Sequence, residues 1–454
     1  MKKKILIFYG LFSKDQDYDW IPSGPLFVSA FLKAAGYDPI LIHEYKDRNY
    51  EKIIEKNIDE TLFLGISAMT GYQIKSGINA VKCLRKYSKD IPVVWGGAHA
   101  TEKPYNTLKS EYVDYAYVGP IKHNFIQFLN ALENNAPVDA FPDILSKNYF
   151  SDRPDKEYEI IDYKVSFSDF PSLNYEDYDF SYLLTKNKVL NYTTSMGCPG
   201  NCTFCSWGGK HPWTSFKLER ILDDIAYLVN RYKLTSLWIA DSELSIKKDH
   251  LLGLAQGIID KNLDINWRGN ARAVELNKYD KNDFALLERS GCDRFFIGLE
   301  NINPEIQRIY KKIIPREIIF NILENIRDFD IKVMFSFIFG NPCGPLTDLE
   351  ENRQFLDECL KINPKVKFQI CFYTPYPGSK LCQMAIEKGY KAPKSFEEYA
   401  EDSFFIDTNR SPKRVPWFSQ AESDDYLRRF NQLFPVIDCE PEWNWRKSKT
   451  AGIN

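Results

Sequence analysis

The sequence predicts an α/β protein in two successive units: a doubly wound parallel sheet over residues 1–135, and a partial (β/α)6 barrel over residues 186–390. Residues 136–185 read as a linker and residues 391–454 as a C-terminal cap. Three observations carry this. At 454 residues the chain exceeds one ordinary hydrophobic core, so two or three domains are expected. Apolar runs alternate with helical segments twice over, and strands separated by helices imply parallel sheets. Finally, Cys198, Cys202 and Cys205, three of the ten cysteines, crowd into eight residues just after the first strand of the second series. That is where a barrel places its chemistry.

In the first unit, "KILIFYG" (4–10), "DPILIHE", "TLFLGISAM" (61–69), "IPVVWGGAHAT" (91–101) and "YVDYAYVG" read as strands. "GPLFVSAFLKAAGY" (24–37), "EKIIEKN", "YQIKSGINAVKCLRKYS" and "HNFIQFLNALEN" read as the helices between and after them. Residues 136–185 are rich in Pro, Asp, Tyr and Ser. The second series has strands at 188–196, 234–242, 264–273, 293–301, 332–340 and 366–376, with helices such as 216–232 and 278–290 between them. Six βα repeats without a seventh or eighth give an open barrel.

Composition excludes several classes. With 44% hydrophobic and 15% aromatic residues the chain is a folded one. A net charge of −3 gives no global pull toward nucleic acid or anionic membranes, and no basic stripe marks a nucleic-acid module. "MKKKILIFYGLF" is basic then apolar, but the apolar run is short, no small-residue cleavage site follows, and it reads as the first strand. No apolar run reaches the roughly 18 residues of a membrane span. The cysteines lack the spacing of a disulfide scaffold, so a reducing, cytoplasmic setting is expected, where clustered cysteines signal metal binding or catalysis.

Cys198, Cys202 and Cys205 form Cys-x3-Cys-x2-Cys. Structural zinc sites want four ligands, usually as two separated pairs, and His211 is the obvious fourth candidate here. Three thiolates can instead hold three irons of a four-iron, four-sulfur cluster and leave the fourth open. A zinc knuckle or reactive thiols remain the alternatives on spacing alone. "CPGNCTFC" resembles the signature of the radical S-adenosylmethionine enzymes, Cys-x3-Cys-x2-aromatic-Cys, and the resemblance extends over residues 188–390. It implies that the three cysteines hold a [4Fe-4S] cluster whose free iron chelates S-adenosylmethionine, and that one electron cleaves the sulfonium to a 5′-deoxyadenosyl radical. It also implies that Phe204 lies near the adenine, that Asp241 or Glu243 in "ADSE" binds the methionine amine, and that Glu300 in "IGLEN" lies near the ribose. A positive group, Arg272 or Arg268, is expected by the carboxylate.

The first unit separates subfamilies. Enzymes that methylthiolate tRNA need three further N-terminal cysteines, and only Cys83 precedes residue 198. Cobalamin-binding domains of the methionine-synthase kind carry Asp-x-His-x-x-Gly, then Ser-x-Leu, then Gly-Gly. This chain has Asp19-Trp20-Ile21-Pro22-Ser23-Gly24, Ser67-Ala68-Met69, and Gly96-Gly97, and "MTGYQIKSGINAV", with Thr70, also looks like this subfamily. The resemblance implies a cobalamin-binding Rossmann-like domain contacting its ligand through Ser67, Thr70, Gly96, Gly97 and Ile21. Ile21 stands where the family has its cobalt-binding histidine, so no histidine ligates from that position. The family's acidic segment after the next strand is replaced by Gly119-Pro120-Ile121-Lys122. His43 and His99 read as ordinary strand-end histidines.

Together the resemblances imply a cobalamin-dependent radical S-adenosylmethionine enzyme that methylates an unactivated carbon of a small-molecule or natural-product substrate. Reduction is expected from a donor such as flavodoxin or ferredoxin. The alternative is a non-methylating rearrangement, cyclisation or oxidation with the same cofactors. A cluster- or zinc-bearing sensor without turnover is a third possibility. Trp417, Phe418, Trp443 and Trp445 of the tail either fill a core or line a pocket.

Overall fold

A computed structural model describes residues 3–134 (except 15, 17 and 18), 136, 138, 141, 143–150, 170–184 (except 172 and 174), 189–401 (except 211) and 415–434. His211, Trp443 and Trp445 lie outside these described residues. Two units separate. One takes the described residues of 1–182, 376–378 and 391–406; the other takes those of 183–375, 379–390 and 407–454.

The strand β1 (Lys4–Tyr9) has four consecutive buried residues, the pattern of a strand covered on both faces. Its parallel neighbours are β2 (Asp38–His43) on one side and β3 (Thr61–Ser67) on the other. β4 (Val93–Gly96) and β5 (Tyr115–Tyr117) continue the parallel sheet beyond β3. The helices α1 (Ser23–Ala34), α2 (Tyr50–Asn57), α3 (Tyr72–Tyr87), α4 (Ala98–Glu102), α5 (Pro104–Leu108) and α6 (Asn124–Glu133) make the connections. The order β2-β1-β3-β4-β5 reverses direction between β1 and β3. In such doubly wound sheets, ligands bind at that switch point, outside the carboxyl ends of the strands.

Residues 144–146 lie in the stretch read as linker, yet they form β6 (Ile144–Ser146), an antiparallel edge strand on β5. Three residues are too few to show an alternation in sequence. Phe170, Leu173, Tyr175 and Phe180 from the same stretch are also buried. The segment read as one cap divides between the units. The helix α15 (Phe396–Glu401) packs on α3 in the first unit, with Phe396 edge-on to Trp95 at 4.9 Å between ring centroids.

The second unit winds differently. Its strands β7 (Val189–Tyr192), β10 (Ser236–Ile239), β11 (Asn266–Ala271), β12 (Cys292–Glu300), β13 (Lys332–Phe339) and β14 (Lys367–Phe372) lie side by side in chain order, all parallel. β7 and β14 are its two edges, so the sheet is an open barrel type. Its crossovers include α7 (Leu218–Tyr232), α8 (Lys248–Asp260), α10 (Lys281–Arg289), α11 (Pro304–Tyr310), α12 (Arg316–Ile326) and α13 (Asp348–Ile362), and α14 (Lys380–Glu387) follows β14. Local chemistry starts them: Asp280 and Asp283 form a capping box on α10, and Asn303 caps α11 ahead of Pro304. The C-terminal helix α16 (Gln420–Leu433) opens on a Ser419–Glu422 capping box. Trp417 is core here: it is buried and its Nε1 donates to the Gly340 carbonyl at 2.8 Å, while Phe418 packs edge-on against Tyr426. No helix among the described residues is long and apolar enough to cross a membrane.

Candidate active site

The cysteine loop leaves the carboxyl end of β7. A two-residue ribbon closes its base, with β8 (Ser195–Met196) antiparallel to β9 (Thr214–Ser215). Its middle is pinned by Thr203, whose N–H donates to Tyr310 O (3.0 Å) and whose hydroxyl donates to Ile309 O (2.7 Å). The Thr203 carbonyl accepts from Leu381 N–H at 2.8 Å. Phe204 stands edge-on to Tyr310, with ring centroids 5.2 Å apart.

Two of the loop's sulfurs crowd one side-chain-free turn of backbone. A Cβ placed on Gly200 would lie 3.3 Å from Cys198 Sγ, 3.7 Å from Cys202 Sγ and 3.7 Å from Arg272 Nη1. Two of the thiols and one guanidinium therefore flank the same backbone apex. All three cysteines are partly exposed and free of disulfides. Among the described residues no three His, Cys, Asp or Glu side chains are grouped to hold one metal ion. A polynuclear cluster does not ask for that convergence, because each thiolate takes its own iron. Burial pushes the Cys202 and Cys205 thiols up, Lys312 pulling Cys202 back down. Metal binding there would have to displace these protons.

Lys312 is a site residue that the sequence reading missed. Its ammonium pairs with Glu300 at 2.8 Å and stands 5.9 Å from the centre of the Phe204 ring. A Cβ on Gly298 would come within 2.6 Å of Lys312 Nζ and would also collide with Glu300. Glu300 itself sits at φ +65, a left-handed conformation uncommon for a residue other than glycine. Strain of this kind persists where the surroundings over-determine it, and gathers at functional sites. The signal legible in sequence is the glycine two residues before the glutamate.

The structure separates the candidates in "ADSE". Glu243 is buried, and its Oε1 accepts from Ser245 N–H (2.9 Å), Ser245 Oγ–H (2.5 Å) and Arg272 N–H (3.1 Å). Burial pushes its carboxyl up to about 7, against the pull of the Ser245 hydrogen bonds. Asp241 is fully buried and turned back toward β7, accepting from Thr194 N–H (2.7 Å), Ser195 Oγ–H (2.6 Å) and the Thr194 hydroxyl. It ties the ends of two strands together at the root of the cysteine loop. The two arginines of β11 also part. Arg272 follows the strand and reaches the Gly200 apex, whereas Arg268 pairs with Asp293 and Ser236 at the opposite, amino end of the sheet.

The other candidate residues gather in the first unit. Ser67, at the end of β3, points its hydroxyl between two helix starts: Cβ atoms on Gly24 and Gly97 would lie 4.0 and 3.1 Å from its Oγ. Gly97 has φ +87, and a Cβ there would come within 2.8 Å of the Ala68 backbone. Only glycine serves at this approach. Gly96 ends β4 immediately before it. Thr70 Oγ1 lies 2.9 Å from His99 Nδ1, and burial pushes His99 down to about 3, so its ring is neutral. His99 Nε2 is buried and has no hydrogen-bond partner among the described residues. Ile21 is buried, with 3% exposure.

His43 is more than a strand-end residue. Both ring nitrogens are engaged, Nε2 with Asp19 Oδ2 at 2.8 Å and Nδ1 with the Tyr182 hydroxyl at 2.7 Å. The aspartate of the Asp-x-His pattern thus holds a histidine from β2, because Ile21 offers it no imidazole. Neither nitrogen of His43 is free to bind a metal. Gly97 lets its backbone close onto Ala68 and Ser67, Gly24 leaves the Ser67 hydroxyl uncrowded, and the unpartnered His99 Nε2 is a buried polar atom that a ligand at this switch point would satisfy; position 21 supplies no histidine ligand.

A family model described as the B12 binding domain matches residues 15–128, and one described as the Radical SAM superfamily matches residues 192–356. The chain thus carries a B12 binding domain followed by a radical SAM domain, the pairing of the cobalamin-binding radical S-adenosylmethionine enzymes, and the two domains imply a [4Fe-4S] cluster, S-adenosylmethionine and cobalamin as cofactors. An uncharacterized methyltransferase of Pyrococcus horikoshii is 25% identical over 364 residues, covering 77% of this chain and 74% of that protein. An anaerobic magnesium-protoporphyrin IX monomethyl ester cyclase of Synechocystis is 22% identical over 387 residues, covering 81% and 73%. In fold, the chain is similar to the radical S-adenosylmethionine methyltransferase TsrM from Kitasatospora setae, solved with cobalamin and a [4Fe-4S] cluster. The TM-score is 0.67 at 14% identity, over 89% of this chain and 85% of that one.

Proposed function

We propose that this chain transfers a methyl group to an unactivated carbon of a small-molecule or natural-product substrate in the cytoplasm. The observation that carries the reading is the pairing, in one chain, of the Cys198–Cys202 sulfurs around Gly200 with the Ser67–Gly97 cradle at the switch point of the first sheet. Bound at these two places, a cluster with one open iron supplies the electron that cleaves S-adenosylmethionine, and cobalamin supplies the methyl group. A carbon without a lone pair cannot attack a methyl donor as a nucleophile, so both groups are needed.

The chain's own residues bind and orient. Cys198, Cys202 and Cys205 are the cluster ligands. Glu243 takes the ammonium of S-adenosylmethionine: its carboxyl is held near neutrality by burial and ionises when a cation arrives. Arg272 takes the carboxylate as a guanidinium fork. Phe204 offers an apolar face near the adenine, and Glu300, steadied by Lys312, stands at the ribose. Asp241 holds the loop's root rather than the ligand. Ser67 would donate to the nucleotide tail of cobalamin, Thr70, Gly96, Gly97 and Ile21 would hold it beside Ser67, and position 21 would supply no histidine ligand. Residues 1–135 serve as the cobalamin domain and 186–390 as the radical domain.

The test is anaerobic reconstitution followed by incubation with a reductant and S-adenosylmethionine carrying a labelled methyl group. The reading requires corrin and cluster absorbance bands together, 5′-deoxyadenosine as a product, and the label on the protein-bound corrin. The similarity to a cyclase favours a second reading, a non-methylating cyclisation. It keeps the 5′-deoxyadenosine and lacks the corrin label.

A further inference from the structure

The loops that follow β11 and β12 enclose a cavity of about 420 Å3 beside the cysteine loop. Four cations line it, Arg272, Arg308, Lys311 and Lys312, together with Ile313 and Ile314, and no acidic residue does. Lys312 is compensated by Glu300, and Arg272 reaches the Gly200 apex between two of the cysteines. Arg308 and Lys311 are different. Both are exposed, and neither pairs with an acidic side chain among the described residues. Ile313, which lines the same cavity, is a large apolar side chain left 65% exposed. The left-handed turn at Lys311, with φ +51, ends α11 and forms this rim.

In a chain whose net charge is −3, an uncompensated cationic rim runs against the average. It lines, with the apolar Ile313 and Ile314, a cavity whose Arg272 reaches the Gly200 apex of the cysteine loop. Cation rims steer acidic partners, and electron-transfer encounters are small and transient, so a few charges around one apolar contact are enough. We propose that the rim of Arg308, Lys311 and Ile313 is the docking surface for a small acidic one-electron carrier protein of the flavodoxin or ferredoxin kind. The proposal rests on the functional reading above, because it needs a cluster at the cysteines. In the step it serves, one electron leaves the carrier, which is oxidised, and enters the cluster, which is reduced. No bond forms or breaks.

The experiment follows bleaching of the cluster absorbance in the full-length reconstituted protein, with either a pre-reduced bacterial flavodoxin or photoreduced deazaflavin, a small reductant that needs no docking surface. The double variant Arg308→Glu/Lys311→Glu changes two exposed side chains and keeps the fold. It should slow reduction by flavodoxin at least about tenfold and leave reduction by deazaflavin unchanged. Raising ionic strength from about 0.05 to about 0.5 M should slow the wild-type reaction with flavodoxin and erase most of the difference between the two proteins. Ile313→Ser should slow it less than the charge reversal. Equal flavodoxin rates in wild type and double variant, equal slowing with both reductants, or no transfer from flavodoxin to the wild type each overturn the docking surface. A wild type that bleaches with neither reductant removes the functional reading, and the rim falls with it.

Discussion

The two proposed cofactor sites occupy the same place on their sheets, the carboxyl ends of parallel strands, and are built in opposite ways. The site on the second sheet is made of side chains that reach inward: thiols on a pinned loop, a buried carboxyl at Glu243, the Arg272 guanidinium, and the Lys312–Glu300 pair. The site on the first sheet is made largely of what is missing: no side chain at Gly24 or Gly97 and an alkyl chain at Ile21, with the Ser67 hydroxyl as its polar point. A cluster is held by covalent ligation, so its site is written in reactive residues. A large flat ring with a buried tail is held by room and backbone contact, so its site is written in glycine.

The contrast is broken most sharply by removing one ligand. Cys202→Ala should abolish retention of a four-iron cluster on reconstitution and with it all 5′-deoxyadenosine formation, while corrin uptake stays intact. Iron and sulfide content, set beside the corrin absorbance of the same sample, checks both halves. A variant that loses corrin as well would mean that the two sites are not independently built.

The reciprocal change is Gly97→Ala. A residue with a Cβ at φ +87 is strained by about 1–3 kcal/mol. Its Cβ would also press on the Ala68 backbone at 2.8 Å, which cannot swing away as a flexible side chain could. Corrin uptake should be lost and cluster content kept. Ser67→Ala is the graded form: it removes one hydrogen bond, worth about 1 kcal/mol, and should weaken corrin binding about fivefold.

Within the second site, Glu243 ties affinity to pH. Its carboxyl in the folded protein is raised to about 7 from an ordinary value near 4.5. Protons are therefore held by the folded state in a range where the unfolded chain has lost them, so this group favours folding below about 4.5 and the benefit is lost as pH rises through about 7. Binding of the S-adenosylmethionine ammonium runs the other way, because it needs the carboxylate. Affinity should rise with pH up to about 7 and then level, as calorimetry across that range would show. Glu243→Gln should weaken binding by about 1.5–3 kcal/mol, roughly tenfold to over a hundredfold, and flatten the pH dependence.

How much of this was legible in the sequence follows from the same contrast. The strand alternation was plain in both units, because strands buried on both faces are long apolar runs. The cysteine spacing marked the loop as a metal or thiol site, and the resemblance of "CPGNCTFC", not the spacing alone, pointed to a cluster. The short antiparallel edge strand β6 was not legible, because three residues in a polar stretch carry no period. Lys312 was hidden because its pairing with Glu300 arises only in the fold; the one trace in sequence is Gly298, which says nothing of the strained turn at Glu300 or of which side chain takes the space. His43 was hidden because its partner, Asp19, lies 24 residues away in the chain and meets it only through the fold. Arg268 and Arg272 looked equivalent because the sequence reading ran the strand over 264–273, and only the fold shows that it ends at Ala271, which leaves Arg272 in the loop beyond the carboxyl end.

That last pair supplies the smallest expected effect and the control for the comparison. Arg268 bonds Ser236 at 3.2 Å and pairs with Asp293, at the sheet end away from the cysteine loop. Arg268→Gln leaves the Asp293 carboxyl, pushed up by burial, without its nearest cation, although Arg294 and Lys332 still act on it. The cost should be stability alone, about 1 kcal/mol and hence about 2–4 °C in Tm for a unit of this size. S-adenosylmethionine affinity, cluster content and corrin uptake should stay at wild-type values, whereas Arg272→Gln should lower S-adenosylmethionine affinity with little change in Tm. If Arg268→Gln instead weakened S-adenosylmethionine binding, the two ends of β11 would be coupled, and the assignment of the ligand site to the carboxyl end alone would fail.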